Sequence, residues 1–299
     1  MNRYITRKLI AETIVFITTT LVSLWLFGPT RQPEKSYTPT VLVETSSTPV
    51  TKREEPEQLI DIFSDETISY NGYEMRQLTK KINIEFGGKV EVSYAVLMKN
   101  DRPLLTFDGA IYFGLGNNTE FGLFELQGNG SQQFIVSQTV PRGGRHWVVS
   151  VSPEVRVLFD SGDYGVGREE FYVIDLDKDG IYEISLPVTA FYLMQDKMYI
   201  GEIPLPEIIF KYDPKLQKYL PANHLFPDYA LRDVESDIER LNNENGNYLS
   251  KRLDILLRYV YARQAKKGWA FFDREYRRPD KKEIKARIIS ILKNAPVYK

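Results

Sequence analysis

The sequence predicts an α+β protein: a mainly antiparallel β body, a helical subdomain at the carboxyl end and a membrane helix at the amino end. Three patterns predict this class. Short strand-like runs alternate with turn residues over 59–225, a helical period begins after residue 226, and residues 9–27 are largely apolar. Aromatic residues make up 13% of the chain and favour sheets, because such side chains pack well across strands. The patterns divide the 299 residues into four predicted segments: 1–28, 29–58, 59–225 and 226–299.

The predicted membrane helix over 9–27 follows three basic residues, Arg3, Arg7 and Lys8. A helix over this run is about 28 Å long, close to the roughly 30 Å hydrocarbon core of a bilayer. The sequence LFGP at its end is a poor cleavage site, so an uncleaved signal anchor is predicted, with cleavage as the alternative. The basic flank predicts a single-pass inner-membrane protein with a cytoplasmic amino end and a periplasmic carboxyl-terminal bulk.

Residues 29–58 are rich in Pro, Thr, Ser and charge, which predicts a flexible linker because little apolar surface can be buried there. The chain has no cysteine, which excludes disulfides, Cys-ligated zinc, iron–sulfur clusters and thiol nucleophiles. Only two histidines are present, His146 and His224, which argues against a histidine-rich metal site.

The predicted β body over 59–225 contains strand-like runs such as KVEVSYAVLM, AIYFGLG and EIIFKYD, without long amphipathic helices between them. This spacing favours antiparallel meanders over parallel βαβ units. A sandwich, an open barrel and a few propeller-like blades all fit the pattern. YEMRQLTKKI at 73–82 is compatible with a short helix, and KMYIGEI at 197–203 is expected to be a strand.

One loop of the β body, within FYVIDLDKDGIYEISLPV at 171–188, concentrates acidic residues between two strand-like runs. Carboxylates at alternate positions can wrap a hard cation with oxygens at about 2.4 Å, and a following glycine permits the sharp turn. The spacing therefore predicts a Ca²⁺ site. Its predicted ligands are Asp175, Asp177, Asp179, the carbonyl oxygen of Ile181, and Glu183.

The stretch DLDKDGIYE resembles the calcium loop of FG-GAP and VCBS-type repeats, in which D-x-D-x-D-G-x-x-[D/N] joins two strands of a propeller blade. Glu183 stands where that pattern has Asp or Asn. The resemblance implies bound calcium and blade-like strands. It covers one loop and its flanking strands, and a search for the acidic spacing finds no second copy. A hairpin tip with solvated charges and no metal is the alternative.

The same D-x-D after an apolar strand also looks like the start of phosphatases of the haloacid dehalogenase class. That resemblance implies Asp175 as nucleophile and Asp177 as acid/base. Asp179, however, stands where that family has Thr or Val, and the helices between strands that its parallel sheet needs are missing.

The segment 226–299 has apolar residues at helical spacing, with predicted helices over 231–241 and 249–261, from Gly268, and after a capping residue at Asp280. YVYARQAKKGWAFFDREYRRPD is similar to half of a tetratricopeptide unit, which implies an antiparallel helical hairpin. Residues 251–299 hold 15 Lys/Arg against 5 Asp/Glu. A solvated basic helical face is expected, and an interaction surface is the alternative.

These predictions combine into a membrane-anchored extracytoplasmic binding or scaffold protein whose β domain is stabilised by one cation. An extracytoplasmic hydrolase of phosphoesters or glycans that uses Asp175 and Asp177 is the first alternative. A structural accessory subunit of a membrane complex is the second. The expected partners are the lipid bilayer, through residues 9–27, and an unidentified protein; nucleic acid is not expected.

Overall fold

The computed structural model describes residues 67–83, 88–108, 118–140, 143–167, 171–241, 248–295 and 297. All described residues belong to one compact unit, Glu54–Lys299. The predicted membrane helix, the predicted linker and the predicted strand AIYFGLG lie outside the described residues. No helix within the described ranges is long and apolar enough to cross a membrane.

Three antiparallel sheets, each a meander of four consecutive strands, make up the β body of the described chain. The first sheet contains β1 (Thr67–Tyr70), β2 (Tyr73–Asn83), β3 (Lys89–Lys99) and β4 (Arg102–Phe107). The second contains β5 (Asn118–Phe124), β6 (Gln133–Val140), β7 (Gly143–Ser150) and β8 (Arg156–Asp160). The third contains β9 (Tyr172–Ile174), β10 (Glu183–Pro187), β11 (Glu207–Asp213) and β12 (Lys218–Pro221). The α+β class with a mainly antiparallel β body is therefore confirmed.

Two local predictions in the β body were wrong. The segment 73–82 is strand β2, because a tight turn at Asn71 and Gly72, both with positive φ, pairs it with β1, and β3 then pairs along its whole length. The segment 197–203 contains a short 3₁₀ turn, Ile200–Glu202, instead of a strand. Pro204 and Pro206 follow it directly and lack the N–H groups that a strand ladder needs.

The second sheet lies between the other two and has both faces covered. Alternate residues of β6 contribute to two different cores, as the period of a strand requires. Phe134 and Val136 pack with Met75 and Leu97 of the first sheet. Ile135, which points to the opposite face, joins the core of the third sheet and the helices. The three sheets are therefore stacked face to face in chain order.

Five α-helices follow the third sheet in the described residues: α1 (Pro227–Ala230), α2 (Val234–Arg240), α3 (Tyr248–Tyr261), α4 (Ala265–Glu275) and α5 (Lys281–Asn294). The predicted carboxyl-terminal helices are thus confirmed. Helix α3 buries Leu253, Leu256 and Leu257 in the core that it shares with the third sheet. Asp280 is the residue at the N-cap of α5, as predicted, but its side chain caps no helix N–H and instead accepts the hydroxyl of Tyr276 at 3.0 Å.

Candidate metal centre

The acidic loop joins β9 to β10, and its backbone is shaped by its own carboxylates. Asp175 accepts two N–H groups, from Asp179 and from Gly180, each at 3.1 Å. Asp179 accepts the N–H of Ile181 at 2.8 Å. Gly180 has a φ of +82°, a conformation that glycine adopts without strain. The loop therefore turns sharply while several of its carboxylate oxygens converge.

A positive charge already lies among these carboxylates, supplied by Lys211 of the adjacent strand β11. Its Nζ lies 2.8 Å from Asp177 Oδ2, 2.9 Å from Asp179 Oδ2 and 2.9 Å from Glu183 Oε1. The Glu183 side chain is completely buried, and its other oxygen accepts the N–H of Leu176 at 2.9 Å. Lys211 thus ties the loop to the middle of the third sheet.

The pKa values of the cluster reflect burial and ion pairing. Desolvation raises the pKa of Glu183 by more than the hydrogen bonds from Lys211 and from the Leu176 N–H lower it. Desolvation also acts on Asp179, but the hydrogen bonds from Lys211 and Ile181 outweigh it and lower the pKa of Asp179. Burial likewise opposes the charge of Lys211, yet its three carboxylate partners raise the pKa of the ammonium far above its ordinary value. Lys211 is therefore a permanent cation at neutral pH.

The structure brings the predicted ligands together to different degrees. Asp175, Asp177 and Glu183 can each offer one oxygen within 4.8 Å of the others, so this acidic cluster could hold a metal ion. Asp179 lies outside that set but shares the ammonium of Lys211. Ile181 contacts the site through its N–H group, which donates to Asp179. Sequence reasoning missed Lys211, although the pairing of Ile184 with Phe210 places it beside Glu183.

A second loop with the same hydrogen bonds joins β5 to β6, although the sequence search found only one copy. Glu125, Asn129, Gly130 and Gln133 stand at the offsets of Asp175, Asp179, Gly180 and Glu183. Three bonds correspond. Gly130 N–H donates to Glu125 at 2.5 Å, Ser131 N–H to Asn129 at 2.9 Å, and Leu126 N–H to Gln133 at 2.8 Å. The search missed this loop because it required carboxylates, whereas amide oxygens accept the same bonds.

The second loop differs from the acidic loop in charge. Gln133 is fully buried like Glu183, and its amide nitrogen donates to Gln127 at 3.3 Å, where the acidic loop has Asp177. Val149 pairs with Phe134, and Ser150 is the next residue along β7. In the same way, Phe210 pairs with Ile184, and Lys211 is the next residue along β11. The second loop, which has amides at the positions of Asp177 and Glu183, therefore has a hydroxyl where the acidic loop has an ammonium.

The two loops also contact each other directly. The N–H of Tyr182 donates to the carbonyl of Leu126 at 2.8 Å. A Cβ added at Gly128 would overlap the Gly180 carbonyl oxygen and lie 2.9 Å from its carbon, so only glycine allows this approach. The second loop thus supports the acidic one from the neighbouring sheet.

Comparisons with protein-family models, with curated proteins and with solved structures found no match. The function is therefore inferred from the site and the fold.

Proposed function

We propose that this chain is a membrane-anchored extracytoplasmic binding or scaffold protein, without catalytic activity, whose third sheet is stabilised by a cation at the acidic loop. The observation that carries the proposal is the ammonium of Lys211 in contact with Asp177, Asp179 and Glu183. The centre of the cluster is a position that a cation occupies.

Ca²⁺ is the metal that this position suits best. It prefers several oxygen ligands in a flexible arrangement, and carboxylates at alternate loop positions provide them. The ion would take oxygens of Asp175, Asp177, Asp179 and Glu183 and the carbonyl of Ile181. It would displace the ammonium of Lys211, which holds the loop in the absence of the ion. The four carboxylates would then face the two positive charges of Ca²⁺, whereas without the ion they face the single positive charge of Lys211.

The proposed architecture is a short array of propeller-like blades, as the FG-GAP resemblance implies. Three consecutive four-stranded meanders stacked face to face support it. The second loop supports it as well, because it joins the first two strands of the second sheet as the acidic loop joins those of the third. A sandwich of two sheets or an open barrel would require neither feature.

The hydrolase alternative has less support, because the two carboxylates that it needs are engaged in the loop. Asp175 accepts backbone N–H groups with both of its oxygens, and Asp177 is paired with Lys211. A nucleophile or general base must instead reach a substrate proton or reacting atom. Assays with phosphoester and glycan substrates should therefore show no turnover. Turnover by the wild-type chain that Asp175→Asn abolishes would establish the hydrolase instead.

Calorimetric titration of Ca²⁺ into the EDTA-treated full chain, in detergent, tests the metal. The wild-type chain should bind Ca²⁺, and Lys211→Met should bind it about tenfold more tightly or better, because the competing ammonium is gone. Asp177→Asn should bind more weakly, because a ligand charge is lost. Absence of binding heat in both the wild type and Lys211→Met would remove Ca²⁺ from the proposal.

The anchor is tested separately by protease treatment of spheroplasts. External protease should digest the carboxyl-terminal bulk, and the chain should sediment with membranes until detergent is added. A chain that stays protected until the cells are lysed would contradict the proposed orientation.

A further inference from the structure

A cavity of about 980 Å³ opens between the β11–β12 hairpin and the junction of α3 with α4. Its volume is that of a pocket for a small organic molecule. Tyr212 and Pro221 line it from the hairpin side, and Val260 and Tyr261 from α3. Most of this surface is apolar or aromatic, and it is separate from the acidic cluster except for Lys211, whose Nζ is bound to the loop carboxylates.

The charged groups around the cavity are mainly basic. Lys215 and Arg263 line it beside the ionisable His224, and none of the three side chains forms an ion pair with any residue in the described part of the chain. Asp213 is the acidic residue of the lining, and its Oδ1 accepts the N–H groups of Lys215 and Leu216 at 2.8 and 3.0 Å. Its charge therefore stabilises the β11–β12 turn.

The surroundings of His224 agree with an electropositive cavity. Desolvation lowers the pKa of His224, and the nearby charge of Arg263 lowers it further. Arg263 itself lies two residues beyond the end of α3 in a left-handed conformation, with a φ of +58°, and its side chain is exposed. An arginine and a lysine that have no carboxylate partner among the described residues, at the edge of an apolar cavity, suit an acid group on an apolar body.

We infer that this cavity binds a small organic anion, a carboxylate, sulfonate or phosphate on an aromatic or aliphatic body, with Arg263 and Lys215 as the partners of its acid group. The body would pack against Tyr212 and Tyr261. This assignment goes beyond the proposed function and uses residues outside the acidic loop. A failed calcium titration would therefore leave the anion site untouched, and a failed test of the anion site would leave the calcium proposal untouched.

The test compares two probes of the same shape, the naphthalene-2-sulfonate anion and neutral naphthalene-2-sulfonamide. Binding to the full chain in phosphatidylcholine nanodiscs is measured by saturation-transfer difference NMR, with empty discs subtracted. The variant Lys215→Gln/Arg263→Asn removes both charges, and asparagine tolerates the left-handed backbone. The matched control, Lys218→Gln/Lys282→Gln, removes two charges from exposed positions outside the cavity.

The sulfonate should bind the wild type and the control equally, and should bind the cavity variant about tenfold more weakly. The sulfonamide should bind weakly and equally to all three. Equal sulfonate binding by the cavity variant and the wild type would overturn the inference, provided that circular dichroism shows the variant folded. Displacement of the sulfonate by phosphatidylglycerol added to the discs would also overturn the inference of a small organic anion, because a lipid headgroup would then be the occupant.

Discussion

Replacing Lys211 by Met should cost the protein about 3 kcal/mol of unfolding free energy in the absence of metal. Removing one partner of a buried ion pair costs roughly 3–5 kcal/mol, whereas an exposed pair contributes about 0–1 kcal/mol. Glu183 is 0% exposed, but Asp177 and Asp179 are 41% and 39% exposed. Almost all of the lost free energy should therefore come from the pair with Glu183. The expected loss lies near the lower end of the range of roughly 3–5 kcal/mol because Lys211 is itself 22% exposed.

A loss of this size corresponds to a fall of about 9 °C in melting temperature for a folded body of this size. The measurement is thermal unfolding of the full chain, followed by circular dichroism in EDTA. Lys218→Met is the matched control, since it makes the same substitution at an exposed position of the neighbouring strand and should change the melting temperature by about 1 °C at most.

Addition of Ca²⁺ should restore much of the stability of Lys211→Met, because the ion replaces the missing charge. A variant that melts with the wild type in EDTA would refute the reasoning, since the buried carboxylate would then need no cation.

Three further substitutions test the packing. Gly128→Ala should destabilise the protein by about 2–4 kcal/mol in urea unfolding, because alanine is strained in the left-handed conformation and its Cβ would overlap the acidic loop. Gly130→Ala should cost about 1 kcal/mol, because its Cβ would meet nothing within 4 Å. Equal losses in the two variants would exclude the contact between the loops. Gly268→Ala should destabilise the protein by about 1–3 kcal/mol, because the added Cβ would lie 2.9 Å from Tyr259 of α3. This steric cost should exceed the gain from the higher helix propensity of alanine. A more stable variant would contradict this packing. Burial raises the pKa of Tyr276 to about 12, so the stability that its neutral form contributes is present below pH 10 and is lost as the pH rises to 12. Tyr276→Phe should therefore lose less stability than the wild type over that interval. Identical unfolding profiles of the two proteins at alkaline pH would contradict the pKa shift.

Much of the fold could be predicted because its signals are local. Alternation of apolar residues located β3, β6, β7, β8 and β11, and the helical period located α3 and α5. Of the two failures in the β body, the one at 197–203 has a local cause in the prolines that follow it, whereas the one at 73–82 depends on a partner strand. Residues 73–82 have a sequence that a helix would accept, and pairing with β3 decides that they form a strand. The order in which the three sheets stack also depends on long-range packing, which no local pattern contains.

The site was predictable only on the loop side. The acidic spacing located Asp175, Asp177 and Glu183, and the structure does bring them together. Lys211 lies 28 residues beyond Glu183, and strand register alone places it there. Without that register, the sequence indicated that a cation is needed but not that the chain supplies one.

The comparison of the two loops separates what shapes the loop from what requires charge. Glu125, Asn129 and Gln133 make three of the four backbone hydrogen bonds that Asp175, Asp179 and Glu183 make. An amide at the last position is therefore sufficient for the turn, and a buried carboxylate there carries a desolvation cost that the amide avoids. The loop with the carboxylate has Lys211 on the adjacent strand, and the loop with the amide has Ser150. Asp177, Asp179 and Glu183, the three carboxylates that contact Lys211, are all amides in the second loop, so the shape of the loop does not depend on their charge. In the acidic loop these three charges instead pair with the ammonium of the adjacent strand.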